Sequence, residues 1–396
     1  MPGLLLNTYL VTEMLAPFFA SLVIINSILF LGRLMQFLEA IFDFGITFED
    51  FIRLSSYLAP TLLLFSTPMA SMIGVIIAFS RMRTDHEILA FKAAGIGLYR
   101  MLPAVLILAL ATTALSGLAS AKLIPAGNVA MKRMLFQLAK EKIDRGMREK
   151  QFMDDIKGMV LYVDRINQEE NTWEGVYISD MRNQGRPVTI TARHGKLNAR
   201  IQDMNITLDL ADGTINRVDG ATTQTILFQR YLLTLPLKNP AAIAGDDISQ
   251  VDKQGMLLSQ LAAGAKKAGI TTFAGKNLLI EYHKRLVLPI GCFILTIIGL
   301  PLALLRSGPG RGAPSLLIAL SFFLVYYILF TTAKNFAYSS AVPVGLVLWI
   351  PNIIFAVLAI LLLRGVARET PGWFVRVFLA ALQKISNRWP RRPEVS

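Results

Sequence analysis

The chain has 396 residues, of which 54% are hydrophobic and only 17% charged. A soluble protein of this size needs far more polar surface, so the composition leaves only a membrane protein. The formal charge of +13 comes from 40 Lys and Arg against 27 Asp and Glu. In a membrane protein that excess reads as basic residues retained on the cytoplasmic side, not as a nucleic-acid footprint, because no basic stripe is interleaved with exposed aromatics. The single cysteine, Cys292, lies inside an apolar run. That excludes an intrachain disulfide and a cysteine-built metal site. No cleavable signal peptide is expected, since the first apolar run is too long and lacks a small-residue cleavage pattern.

Crossing a hydrocarbon core about 30 Å thick takes roughly 20 apolar residues as a helix. Six stretches qualify: Leu15–Leu38, Leu54–Phe79, Leu98–Leu118, Leu286–Leu305, Leu316–Ala333 and Val344–Leu363. Three precede a long middle section and three follow it. Short loops carrying Arg81, Arg83, Lys92 and Arg100, then Arg306 and Arg311, then Arg364, Arg368 and Arg376 all fall on one side of such a topology. The positive-inside rule makes that side cytoplasmic, with both termini. Loops Glu39–Asp50 and Asn335–Pro343 and the middle section then face outward. Glu13, Arg33, Lys122, Arg285 and Lys334 sit near span ends, where snorkelling accounts for them. Asn26 lies within a span, where it can hydrogen-bond a neighbouring helix.

The first basic loop holds Arg81-Met82-Arg83-Thr84-Asp85-His86-Glu87-Ile88-Leu89-Ala90-Phe91-Lys92-Ala93-Ala94-Gly95. This reads as a short surface helix wedged between two spans. Thr84 and Glu87 have capping-box spacing, Ile88, Leu89 and Phe91 supply an apolar face, and Gly95 suits the helix stop. A rigid element here gives a soluble partner something to push on.

The middle section reads as β structure. Met159–Val163, Gly175–Ser179, Val188–Ala192, Lys196–Ile201, Asn205–Leu210 and Thr225–Leu235 are rich in β-branched and aromatic residues. Asn183-Gln184-Gly185, His194-Gly195, Asp212-Gly213 and Asp219-Gly220 read as turns between them. Such spacing indicates a sandwich, jelly roll or related β domain. Lys132–Arg148 and Met256–Ala268 read as flanking helices. The organisation is therefore 1–122 for three spans including the surface helix at about 81–97, 123–285 for an outward β domain, 286–364 for three more spans, and 365–396 for a basic tail. In that tail Trp373, Phe374, Val377, Phe378, Leu382 and Ile385 recur at the spacing of an interfacial helix.

No enzyme constellation emerges. His86, His194 and His283 fall in separate regions without ligand spacing, and no nucleophile elbow or Walker A is present. Gly308-Pro309-Gly310-Arg311-Gly312 lacks the Lys-Ser/Thr that holds phosphate and reads as a turn. The spans carry no ion-pathway charges. No cofactor is expected, and any ATP is bound by another chain.

Arg81-x-x-x-Asp85-x-Glu87-Ile88 with Ala93-x-Gly95, then Glu281-Tyr282-His283-Lys284-Arg285 leading into a span, then the Arg-Ser-Gly-Pro-Gly-Arg-Gly loop at 306–312, sit in a 3 + 3 arrangement of spans around a β insertion. To about Arg368 the chain resembles the LptF/LptG (YjgP/YjgQ) lipopolysaccharide export permease family, nearer to LptF than to LptG. The resemblance implies an α-helical integral membrane protein of six transmembrane helices with an inserted periplasmic all-β domain, β-jelly-roll-like, in the bacterial inner membrane. It implies a half-permease that pairs with a second LptF/LptG-type half above an LptB-type ATPase dimer. The β domain would pass lipopolysaccharide to LptC and LptA-type bridge proteins. It assigns Arg83, Asp85, Glu87, Ile88 and Phe91 to ATPase coupling, with Glu87 presented to the ATPase groove. Arg33 falls where some members place a basic residue that could pair with lipid phosphate, with an interfacial anchor as its other reading. Two readings from other classes stay open: an ABC-type permease for lipoproteins or other lipids, which usually has four spans, and a membrane assembly factor with no transport role.

Overall fold

The computed structural model describes residues 2–44, 47–146, 149–156, 159–167, 172–181, 188–200, 205–219, 222–235, 253–304, 313–340 and 342–368. The expected tail helix at 373–385 and the 306–312 loop lie outside these residues. Two compact units are distinguishable, one drawn from Met1–Gly32, Leu58–Pro125 and Lys253–Ser396, the other from Arg33–Tyr57 and Ala126–Asp252.

The chain opens with helices α1 (Pro2–Phe44), α2 (Phe48–Thr84), α3 (Glu87–Ala93), α4 (Leu98–Leu118) and α5 (Ile124–Gly146). After the sheet come α6 (Leu258–Ala268), α7 (Phe273–Leu304), α8 (Ala313–Ser339) and α9 (Val344–Ala367). Six of these stretches are long and apolar enough to cross a membrane, as expected. The connections are shorter than the composition suggests. Helix α1 runs on to Phe44 and α8 to Ser339, so most of the two expected loops is helical. The third span continues through a π turn, Ala119–Leu123, into α5 without a break.

Helices α2 and α7 form the buried centre of the bundle. Gly299 of α7 lets the two backbones close, since a Cβ there would stand 3.0 Å from the Met72 carbonyl oxygen. Small residues at such crossings let helices approach where lipid supplies no hydrophobic drive. Ser71 Oγ and Thr296 Oγ1 lie 2.7 Å apart across the same contact. Asn26 donates to Leu22 O in its own helix and bridges no other helix among the described contacts. The interhelical amide is Asn352 of α9, 2% exposed. Its Oδ1 accepts from Tyr326 of α8 at 2.8 Å and its Nδ2 donates to Val287 O of α7 at 2.9 Å.

The inserted section is a six-stranded antiparallel sheet: β1 (Phe152–Ile156), β2 (Met159–Asn167), β3 (Thr172–Asp180), β4 (Val188–Arg200), β5 (Asn205–Asp219) and β6 (Thr222–Leu235), in that order. Two expected turns do not exist. His194-Gly195 lies inside β4 and Asp212-Gly213 inside β5. These residues belong instead to a crease that crosses five strands. On one side the inward positions form the ladder row Val163, Val176, Ala192, Gly213, Phe228; on the other they form Ile166, Trp173, Gly195, Leu210, Tyr231. Strict alternation would put one outward residue between successive inward ones. Every strand here has two, such as Asp164 and Arg165 in β2 or Arg193 and His194 in β4. Positive φ at Gly175 (65°) and Asp212 (52°) marks the line. The crease bends one sheet into two panels that share an apolar core of Leu161, Ile178, Ile190, Leu208 and Leu233, with Phe136 of α5. On the outward side Arg230 donates to both Asp209 oxygens, at 2.8 and 2.5 Å, and holds that carboxyl below its ordinary range.

Candidate functional site

The predicted surface helix is present, but its start is not a capping box. Thr84 closes α2 and its hydroxyl donates back to Ser80 O. Helix α2 stops because His86 takes the left-handed conformation, φ 60° and ψ 9°, which turns the chain by one residue into α3. At the other end Gly95 is left-handed (φ 77°). The Gly95 N–H bonds Lys92 O and the Ile96 N–H bonds Phe91 O, the two bonds of a Schellman motif. The seven-residue α3 is thus fixed at both ends by backbone geometry. A histidine pays about 1–2 kcal/mol to sit left-handed. His86→Gly is therefore expected to leave thermal stability in detergent near the parent's, while His86→Val lowers it by about 1–2 kcal/mol.

The sequence-predicted residues divide between two directions. Ile88 is buried and Phe91 packs beside it on the bundle core. Leu89 does not join them: it is 65% exposed. The i, i+3 spacing puts 88 and 91 on one face, and a helix turns about 100° per residue, so 89 faces away. Arg83 is used internally, its Nη1 donating to Ala303 O at 2.9 Å near the C-terminus of α7, where a cation is favoured. Asp85 faces outward and lies 3.6 Å from Arg81 Nε. Glu87 is half-buried, its Oε2 accepting from the Tyr9 hydroxyl at 2.8 Å. Arg33, half-exposed, stands at the other end of the apolar run of α1. What α3 presents outward is Leu89, Ala90, Lys92 and Ala93, beside His86 and Asp85.

A second polar centre lies in the same unit, where sequence reasoning expected a snorkelling arginine. Arg285 is 2% exposed, and each of its three guanidinium nitrogens donates inside the protein. Nη1 donates to Met256 O at 2.6 Å, Nη2 to Lys253 O and Gln254 O at 3.1 and 2.7 Å, and Nε to Glu281 Oε1 at 3.2 Å. Lys284 donates to the other Glu281 oxygen. Buried Lys253 reaches Asn277, whose Oδ1 also accepts from Tyr338. From the π turn Ser120 donates to Arg285 O at 3.2 Å. The signal available in the sequence was the i, i+4 pair Glu281/Arg285 inside a helical run. Among the described residues no three His, Cys, Asp or Glu side chains come together as metal ligands.

Residues 8–365 match the lipopolysaccharide export system permease LptF/LptG family. The chain belongs to that family. The permease is 24% identical over 360 residues to the lipopolysaccharide export system permease protein LptF of Escherichia coli K12, covering 89% of this chain and 93% of that one. The Shigella flexneri LptF gives the same identity and coverage. An uncharacterized protein of Rickettsia prowazekii is 24% identical over 314 residues, 79% of this chain and 84% of its own. The permease is thus a multi-pass inner-membrane protein of a transport family, as the resemblance implied.

Proposed function

We propose that the permease is one half of an ATP-driven lipopolysaccharide exporter and that the α2–α3 elbow receives force from a separate ATPase. The observation that carries this is the construction of α3: both ends are locked by backbone geometry, one face is sunk in the bundle, and the other is small, open and apolar around Leu89. That build suits a hard contact between soluble and membrane chains. An LptB-type ATPase dimer would seat against it in the cytoplasm, with a second LptF/LptG-type half completing the cavity. Lipid extraction supplies the reason for an engine. Moving acyl chains into water costs about 0.8 kcal/mol per CH₂, so a multi-chain lipid needs tens of kcal/mol unless an apolar path is kept around it. The two-panel apolar face of the sheet, on the periplasmic side in this reading, would continue that path towards LptC and LptA-type bridge proteins. Arg33 would meet lipid phosphate.

Glu87→Ala tests the docking: Oε2 is taken by Tyr9, and in this reading the other carboxylate oxygen, at the edge of the exposed face, is the one offered to the ATPase. A hydrogen bond involving a charged group contributes about 1.5–3 kcal/mol, so ATPase co-purification is expected to weaken by about tenfold or more. Lipid-stimulated ATP hydrolysis should fall with it. Unchanged association and unchanged hydrolysis would remove the elbow from this role.

A further inference from the structure

Helix α1 holds to the bundle by a narrow stripe. Leu10, Met14, Phe18, Ser21 and Ile25 are buried at spacings of four, four, three and four, while Leu4, Leu5, Phe19, Val23, Ile24, Ile28 and Leu31 are exposed. Phe18 packs closely against Gly74 of α2, where a Cβ would stand 3.0 Å from the Phe18 Cα. In lipid such a stripe is held by close packing and polar contacts, with no hydrophobic drive to press the helix home.

Two polar contacts reach from the first turns of α1 to the elbow. The Tyr9 hydroxyl donates to Glu87 Oε2 at 2.8 Å, reaching the first residue of α3. Glu13 Oε2 lies 3.4 Å from Arg81 Nη1, in the last turns of α2, and Arg81 also lies 3.6 Å from Asp85 of the connecting turn. Tyr9 and Glu13 are four residues apart, so one face of α1 grips both sides of the elbow. Leu10 and Met14, each 0% exposed, anchor the same two turns in the core. We infer that Tyr9 and Glu13 are positioning residues that tie the first span to α3, so that load on the elbow moves α1 with it. The inference rests on the reading of α3 as the ATPase contact; neither Tyr9 nor Glu13 lies on the face offered for docking.

The test uses the complete exporter in nanodiscs with lipopolysaccharide: Tyr9→Phe, which removes only the hydroxyl, Glu13→Gln, and the double variant. ATPase association is expected to stay at the parent level. Lipopolysaccharide released per ATP should fall about fivefold or more in the double variant, the scale of losing one or two hydrogen bonds to charged groups. A spin label replacing exposed Val23 should shift on nucleotide binding in the parent and shift less in the double variant. An unchanged lipid-to-ATP ratio, or an unchanged label shift, overturns the tie. So does loss of ATPase association in Tyr9→Phe, which would make Tyr9 a docking residue. Failure of the docking reading shows elsewhere, as Glu87→Ala that still binds and responds to the ATPase.

Discussion

Arg285→Ala is expected to destabilise the permease by about 3–5 kcal/mol, the usual cost of removing one partner from a buried ion pair. The substitution removes donors from Lys253 O, Gln254 O and Met256 O together, the first buried and the other two partly buried. Glu281, 7% exposed, is left with Lys284 alone as its ionic partner among the described contacts. Arg285→Lys keeps the charge but loses the planar fork that reaches several carbonyls at once, so it should recover only part of the loss. Thermal midpoints read by fluorescence-detected size exclusion, with limited proteolysis of residues 253–256, provide the measurement. A loss under about 1 kcal/mol would place Arg285 with ordinary exposed pairs.

Gly213→Val is expected to break the pairing of β4 with β5. The new Cβ would stand 2.2 Å from Thr191 O and 2.4 Å from Phe228 Cζ. Phe228 can swing aside, but the carbonyl belongs to the neighbouring backbone, so the strands must part. Overpacking ordinarily costs about 1–3 kcal/mol, and backbone overlap with loss of the Thr191–Thr214 contact puts this case at the top of that range or above. Gly195→Ala is the control. Its Cβ meets side chains and no backbone among its nearest neighbours: Val176 Cγ2 at 3.0 Å, Leu210 Cδ2 at 3.2 Å and the Trp173 ring at 3.6 Å. Hydrogen exchange of the full permease should show rapid exchange across β4 and β5 in the first variant and near-parent protection in the second.

Element types were legible because both periodicities are strong. Twenty apolar residues in a row admit only a spanning helix, and alternating β-branched runs admit only strands. What escaped the sequence depended on partners far along the chain. Arg285 near a span end looks free to snorkel until residues 253–256 arrive to take its donors. Asn352 lies in a run as oily as any other, and its role appears only when Tyr326 and Val287 flank it. Thr84 and Glu87 have the letters of a capping box, yet α2 runs on to Thr84 and His86 makes the corner. The short helix α3 itself was legible from its charges between two apolar runs. Its tie to Tyr9 was not, because 78 positions separate the pair.

The doubled outward positions in the sheet carry a consequence for chain length. Arg193-His194 and Ala211-Asp212 look like spare polar linkers, the sort of place where homologues gain or lose a residue freely. They are nothing of the kind. Each strand contributes the same two-residue step along one shared fold line, so trimming or padding a single strand there leaves it out of phase with both neighbours. The segments that most resemble dispensable loops are the ones whose length the sheet tolerates least.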